Sequence, residues 1–170
     1  MTTCYERTSA VLSPDGVYRY SLSRTFDRDA GRTMAVMGLN PSTADAEQDD
    51  ATIRRCVGFA RREQCSALVM LNLFAFRATD PRALSQCADP IGPDTDTVLR
   101  VFAKEPDVLM VAAWGAHPLA QRRVRAVVPM FAEWWCFGTT ANGSPRHPLY
   151  LPNNAALVRF TSPPPQRGDA

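Results

Sequence analysis

The chain of 170 residues has little net charge, no paired cysteine motif and few histidines. Its 19 basic and 17 acidic residues leave a net charge of +2, so a nucleic-acid role would have to come from local patches. Its five cysteines show no C-x-x-C pair and no histidine spacing of a zinc or iron–sulfur site. We therefore expect no metal, no cofactor and free thiols, as in a reducing cytosol.

The sequence also lacks the layout of a signal peptide, and no apolar run approaches the roughly 20 residues that cross a bilayer. A cytoplasmic, monomeric protein without a membrane partner is expected. The hydrophobic content is 45%, which over this length supports one sizeable core. We predict one domain at 1–160, followed by a disordered, proline-rich tail at 161–170.

Apolar segments alternate with amphipathic ones along most of the chain. The apolar segments are continuous, which is typical of strands covered on both faces. A turn sequence at 13–16 predicts a β-hairpin at about 10–27 before them. The fold class is therefore α/β, a three-layer αβα arrangement around a mostly parallel sheet. Strands are predicted at 34–37, 67–71, 108–113 and 135–137, and helices from 51, at 93–104 and at 119–133, the last kinked near Pro129.

Polar or aromatic side chains follow each predicted strand of the α/β region. In such sheets, ligands bind at the carboxyl ends of the strands. Amides offer a donor and an acceptor together, which is how the edge of a nucleobase is read. The site is therefore expected where Asn40, Asn72 with Arg77, Trp114 and His147 follow successive strands.

Four short motifs resemble those of the uracil-DNA glycosylase superfamily. Gly38-Leu39-Asn40-Pro41 looks like the first motif of its mismatch-specific thymine/uracil branch, and Leu71-Asn72-Leu73-Phe74 like the strand whose asparagine reads the extruded base. Ala112-Ala113-Trp114-Gly115 resembles an apolar strand ending in W-G or L-G, and His147-Pro148-Leu149 the closing H-P-S motif. Order and approximate spacing agree over about residues 34–152, which implies a fold like that of this superfamily.

A longer signature is closer to a second group. Gly38-Leu39-Asn40-Pro41-Ser42-Thr43-Ala44-Asp45, with the segments 50–56 and 72–81, resembles a widespread family of bacterial and phage proteins catalogued as a domain of unknown function. That resemblance is specific but brings little established biochemistry. The functional expectation therefore comes from the glycosylase motifs.

The glycosylase resemblance implies hydrolysis of the N-glycosidic bond of a uracil-like, mismatched or modified base in DNA, or in a nucleotide. This bond breaks to an oxocarbenium-like sugar and an anionic base, so a water must be positioned and the departing charge stabilised. By the resemblance, Asn40 would hold the water, His147 would donate to the base oxygen and Asn72 would read the base edge. The residues expected around the base are Gly38, Leu39, Asn72, Phe74, Phe76 and Trp114.

Phosphate contacts are expected beside the same turn. The backbone after Pro41 opens toward a helix start, where amide groups bind anions, so Ser42 and Thr43 are candidates. Basic side chains are the other candidates, because phosphates are held mostly by such groups. They are Arg54, Arg55, Arg77 and Arg146.

Each candidate also has a structural interpretation. Asn40 suits a turn or a helix cap, Asn72 a buried polar network, and His147 an ordinary surface loop. The arginine face of the helix at 54–62 suits a solvated surface. The acids Asp45, Asp49 and Asp50 are interpreted first as caps and loop residues, although they are also compatible with contact to the ligand or with weak Mg²⁺ binding.

Two departures from the glycosylase pattern leave other functions open. Ser42 stands where that pattern has glycine or tyrosine, and Leu149 where it has serine. These departures motivate a second hypothesis, a module that binds a modified base or nucleotide without cutting it. A third hypothesis is metal-dependent nucleotide hydrolysis at the acidic residues, which EDTA would abolish.

Overall fold

The computed structural model describes residues 5–26, 31–42 and 44–161. These residues form one seven-stranded sheet with three α-helices. The strands are β1 (Arg7–Leu12), β2 (Arg19–Thr25), β3 (Thr33–Gly38), β4 (Ala67–Asn72), β5 (Val108–Ala112), β6 (Trp135–Cys136) and β7 (Val158–Arg159). The helices are α1 (Ala51–Arg62), α2 (Thr95–Phe102) and α3 (Pro118–Val127).

The strand order is β1-β2-β4-β3-β5-β6-β7. The inner strands β4, β3, β5 and β6 run parallel, because a helix carries the chain back between them. The outer pairings β1 with β2, β2 with β4 and β6 with β7 are antiparallel. The α/β class is confirmed, but the sheet is mixed rather than mostly parallel.

The hairpin accounts for most of this difference. We predicted it as an element preceding the sheet, whereas β2 pairs directly with β4 and makes the hairpin one end of the sheet. The short strand β7 adds the antiparallel pairing at the other end. Residue 27 of the predicted hairpin and residues 162–170 of the predicted tail lie outside the described residues.

The two faces of the sheet are covered by different helices. Alternate residues of the central strands point to opposite faces, so Met34 and Val36 pack in one core cluster while Ala35 and Met37 pack in the other. The first cluster contains the buried stripe of α1, and the second contains buried residues of α2 and α3. Helices therefore lie on both sides of the sheet.

Proline and capping residues determine where the helices begin and end. Asp50 caps α1 by accepting a hydrogen bond from the backbone N–H of Ile53 at 2.8 Å. α3 ends at Val127, and Val128–Met130 form a 3₁₀ turn, because Pro129 lacks the N–H that an α-helix needs. The α-helix therefore ends just before Pro129, where we had predicted only a kink. Within the described ranges, no helix has the length and apolar character needed to cross a membrane.

Candidate functional site

A small cavity lies at the carboxyl ends of the parallel strands β3, β4 and β5. Its volume is about 80 Å³, well below the roughly 300–1,000 Å³ of pockets for drug-sized ligands, so it suits a single small group. The N-terminus of α1 and the segment around His147 close its sides. It is lined by Arg19, Val36, Gly38, Asn40, Ser42, Asp50, Thr52, Ile53, Met70, Asn72, Ala113, His147 and Pro148.

The structure thus brings together residues that are far apart in the sequence. Those among the predicted site residues are Gly38, Asn40, Ser42, Asp50, Asn72 and His147. The cavity opens on the face of the sheet covered by α1. Three residues that line it, Val36, Met70 and Ala113, also belong to the core cluster that contains α1. Thr43, a predicted phosphate contact, lies outside the described residues.

Asn72 is the most constrained polar group of the cavity. It is 5% exposed, and its Nδ2 has no hydrogen-bond partner among the described residues. Leaving a buried amide donor unpaired costs about 1–3 kcal/mol, so buried amides normally have partners. Because Asn72 also lines the cavity, a ligand there is a natural partner for this donor.

Gly38 leaves room for the Asn72 side chain. The two residues are partners in the register of β3 and β4. A β-carbon on Gly38 would lie 2.9 Å from Oδ1 of Asn72, closer than real β-carbons approach an oxygen. The glycine of the Gly38-Leu39-Asn40-Pro41 motif is therefore explained by this close approach.

Asn40 is held by its amide nitrogen. Its Nδ2 donates to the carbonyl oxygens of Ala78 at 2.8 Å and Pro41 at 3.0 Å. Both amide hydrogens are used in these bonds, so Oδ1 is the polar atom left to accept a hydrogen bond from a water or a ligand. The arrangement also ties the turn after β3 to the loop after β4.

His147 is held by its ring Nδ1. That atom accepts a hydrogen bond from the backbone N–H of Leu149 at 3.3 Å and caps the 3₁₀ turn Pro148–Tyr150. Burial lowers the pKa of His147, against the opposing influence of Asp50, so the ring is neutral at physiological pH. A neutral ring that accepts at Nδ1 carries its proton on Nε2, which makes Nε2–H the available donor.

Arg19 is a cavity residue that sequence reasoning missed. It begins β2, and because β2 runs antiparallel to β4, the start of β2 lies at the carboxyl end of β4. Its backbone N–H donates to the carbonyl of Ala75 in the loop after β4. Tyr18, Tyr20 and Leu22 alternate with polar residues, which predicts a solvent-facing Arg19. No local pattern indicates that β2 is covered on both faces.

Only one of the three predicted acids reaches the cavity, and that acid is Asp50. Asp45 accepts from the backbone N–H groups of Glu47 and Gln48, and these bonds lower its pKa. Asp49 accepts from Tyr5 and forms an ion pair with Arg24. The contacts of Asp45 and Asp49 therefore fit their interpretation as loop residues. In the described part of the chain, no group of three or more His, Cys, Asp or Glu residues could hold a metal ion.

The predicted apolar contacts of the base lie elsewhere. Leu39, Phe74 and Trp114 are buried in the core cluster of α2 and α3, and Phe76 packs against it. Strand alternation explains the placement of Trp114, because Ala113 faces the cavity and the next residue faces the opposite side. None of these four side chains lines the cavity.

The predicted arginines are divided between structural contacts and a neighbouring groove. Arg77 donates to the carbonyl of Gly16 at 3.2 Å, and Arg146 is exposed beside Gly138. Arg55 donates to the Asn153 side chain and the Leu151 carbonyl, which fastens the chain after His147 to α1.

A wider groove of about 610 Å³ runs along α1 beside the cavity. The two adjoin, because Ala51 and Leu149 of the groove directly follow Asp50 and Pro148 of the cavity. The groove is lined by Ala51, Arg54, Arg55, Gly58, Phe59, Leu149 and Asn153. Arg54 and Arg55 thus flank an open surface that leads to the cavity.

Comparison with known proteins gives a single family. A family model described as "Protein of unknown function (DUF1643)" matches residues 19–149, a span that includes both Arg19 and His147. No curated protein and no solved structure matches the chain.

Proposed function

Because the chain belongs to the DUF1643 family, whose description assigns no activity, we propose a function from the site itself: hydrolysis of the N-glycosidic bond of a uracil-like, mismatched or modified base in DNA. One observation carries the proposal. Asn72 is buried, its amide donor has no partner among the residues that the structure describes, and it lines a cavity at the carboxyl ends of three parallel strands. A planar ring bound in the cavity would offer a carbonyl oxygen as the partner of that donor.

The cavity offers a group for each part of this reaction. A water held by Oδ1 of Asn40 attacks C1′ of the sugar, and the proton that the water loses passes to the Asp50 carboxylate. The C1′–N bond breaks with its electron pair going to the base, which later takes a proton from solvent. Nε2–H of His147 and Nδ2 of Asn72 donate to the base oxygens as negative charge develops there.

The small cavity and the open groove would divide the substrate. We assign the extruded base, a single small ring, to the cavity of about 80 Å³ and the sugar–phosphate chain, which needs an open surface, to the groove. Arg54 beside the groove supplies positive charge for the phosphates. We therefore propose DNA as the partner, with the polymer along α1, in the cytoplasm.

The motif order supports the finer part of the proposal, a fold like that of the uracil-DNA glycosylase superfamily. Residues from three of the resembling motifs line one cavity: Gly38 and Asn40 of the first motif, Asn72 of the second and His147 of the last. The contacts to the base that we expected from Phe74, Phe76 and Trp114 are not part of the proposal, since these side chains pack elsewhere.

A base-release assay with the full chain tests the proposal. Oligonucleotides carrying uracil, mismatched thymine or modified pyrimidines, single- and double-stranded, are incubated with the protein, and free base is measured. We expect release from at least one of them, and loss of release in His147→Ala. Failure of the wild-type chain across the whole panel would reject hydrolysis.

His117→Ala is a matched control for His147→Ala. His117 also precedes a proline, and its Nδ1 also accepts from the N–H two residues later at 3.3 Å. It caps α3 and does not line the cavity. Both variants lose a similar cap, so only a role in the site makes His147→Ala selectively inactive.

A second candidate, binding without cleavage, is favoured by the contact of the group that would take the proton from water. Oδ1 of Asp50 already accepts a hydrogen bond from the backbone N–H of Ile53 as the cap of α1. Saturable binding of a base-containing oligonucleotide, weakened by Asn72→Ala and without base release, would select this candidate.

A further inference from the structure

Arg19 is a buried cation, and the carboxylate that acts most strongly on its charge, Asp50, lines the same cavity. Its side chain is 3% exposed, Nη1 donates to the carbonyl of Ala44, and Nε–H has no hydrogen-bond partner among the described residues. Within the same residues it forms no ion pair with a carboxylate. Buried charges in proteins are normally paired, because removing them from water is costly.

Arg24 on the same strand is also buried, but it is paired with a carboxylate. It is 1% exposed, but its Nε donates to Asp49 at 2.8 Å and its Nη2 to the carbonyl of Asp45 at 2.6 Å. The two arginines share one strand and a similar burial. They differ in that Arg19 lines the cavity and Arg24 does not.

The cavity contains other donors besides Arg19. Nδ2 of Asn72 has no partner in the described part of the chain, and the neutral His147 ring offers Nε2–H. Although burial lowers the pKa of Arg19 to about 10, the guanidinium keeps its charge at neutral pH. A ligand complementary to these groups carries carbonyl oxygens and negative charge.

We infer that Arg19 contacts the ring bound in the cavity through Nε–H and balances negative charge on it, so that an anionic, carbonyl-bearing ring binds better than its neutral counterpart. This inference rests on the proposed function. In the hydrolysis, the electron pair of the broken C1′–N bond goes to the base, and Arg19 stabilises that charge without giving or taking a proton.

Two free rings of similar shape test the inference without any reaction. Uracil is neutral near pH 7, whereas barbiturate has one more carbonyl and is an anion. Calorimetric titration of the full chain should show barbiturate binding at least about tenfold more tightly, the order of a charge-assisted hydrogen bond. Arg19→Met should remove this preference, and Arg24→Met should keep it while lowering thermal stability.

Further outcomes are decisive as well. Equal or weaker binding of barbiturate to the wild-type chain overturns the inference, as does failure of both rings to bind at millimolar concentration. Should Arg19→Met not fold, Arg19→Lys replaces it. Lysine keeps the cation but has no Nε–H in the same place, so the preference for barbiturate should fall several-fold, and an undiminished preference counts against the contact.

The base-release assay separates this inference from the proposed function. A chain that releases no base but binds barbiturate in an Arg19-dependent way lacks the hydrolysis and keeps the inference. A chain that releases base without preferring barbiturate keeps the hydrolysis and lacks the role of Arg19. Where base is released, Arg19→Met should slow the release of uracil more than the release of 5-fluorouracil, because 5-fluorouracil leaves more easily as an anion. Equal slowing of the two would contradict charge stabilisation by Arg19.

Discussion

Gly38 and Asn72 are register partners whose closeness leaves no room for a side chain on Gly38, since a β-carbon there would lie 2.9 Å from Oδ1 of Asn72. The first residue of the turn motif and the amide of the next strand are therefore one structural unit. A change in either should act on the cavity through the other.

Gly38→Ala should displace the Asn72 side chain and weaken ligand binding. The overlap is with a side-chain oxygen, so we expect a stability cost of about 1–3 kcal/mol rather than failure to fold. Thermal unfolding and ring binding measure the two effects. Gly58→Ala is the stability control, because nothing lies within 4 Å of its added methyl and α1 should gain up to about 1 kcal/mol.

Asn72→Leu should separate stability from binding. The change removes a buried donor for which the described ranges offer no partner, so we expect the melting temperature to stay the same or to rise. Ligand binding should be lost, because the edge-reading amide is gone. A strongly destabilised variant would show instead that Asn72 serves a structural network.

Asn40→Asp should be more harmful to folding than Asn40→Ala. Nδ2 of Asn40 donates to the carbonyls of Pro41 and Ala78, so alanine loses two hydrogen bonds, at about 1–3 kcal/mol in total. Aspartate places an acceptor against both carbonyl oxygens and adds repulsion. Urea unfolding of both variants tests this order, and greater stability of the aspartate variant would contradict it.

Arg55→Ala should loosen the chain that follows His147. The side chain of Arg55 fastens Leu151 and Asn153 to α1, so residues 148–155 should exchange amide hydrogens faster in the variant. Arg54→Ala is a neighbouring control, since within the described residues the Arg54 side chain donates to the Asp49 carbonyl at the start of the same helix and not to residues 148–155. Similar exchange in both variants would argue against this fastening role.

The stability of the fold should fall as the pH drops below about 6.5, in part because of His147. Burial lowers the pKa of His147 from its ordinary value of 6.5, so at lower pH the unfolded chain takes up the proton first. Stability is thus retained above that value and lost as the pH falls toward the lowered pKa. His147→Asn keeps a capping side chain, and its melting temperature should fall less on acidification than that of the wild-type chain. An equal fall in both proteins would show that other groups cause the loss of stability.

The central fold follows from patterns in the sequence. The apolar segments that became β3, β4 and β5 are continuous because both faces are covered, and the stripe of α1 lies where its spacing predicts. β7 has two residues and no pattern of its own. The pairing of β2 with β4 depends on contacts between distant segments, which local periodicity does not report.

The candidate site was predicted only in part, because some of its residues meet through pairings between distant segments. Asn40 and Asn72 follow strands, so their position along the chain indicated them, whereas His147 was singled out mainly by its resemblance to the closing glycosylase motif. Trp114 was assigned to the base although strand alternation, applied from Ala113, places it on the far side of the sheet. Arg19 requires the three-dimensional pairing of its strand and had no local signal.

The antiparallel pairing of β2 with β4 couples the cohesion of the sheet to occupancy of the cavity. Arg19 is anchored through the backbone to Ala75 and through its side chain to Ala44, so a ligand that engages it also pins the hairpin to the rest of the sheet. Opening of the hairpin would remove one wall of the cavity. Ligand occupancy should therefore slow amide exchange along Arg19–Thr25, a strand whose other residues need not touch the ligand.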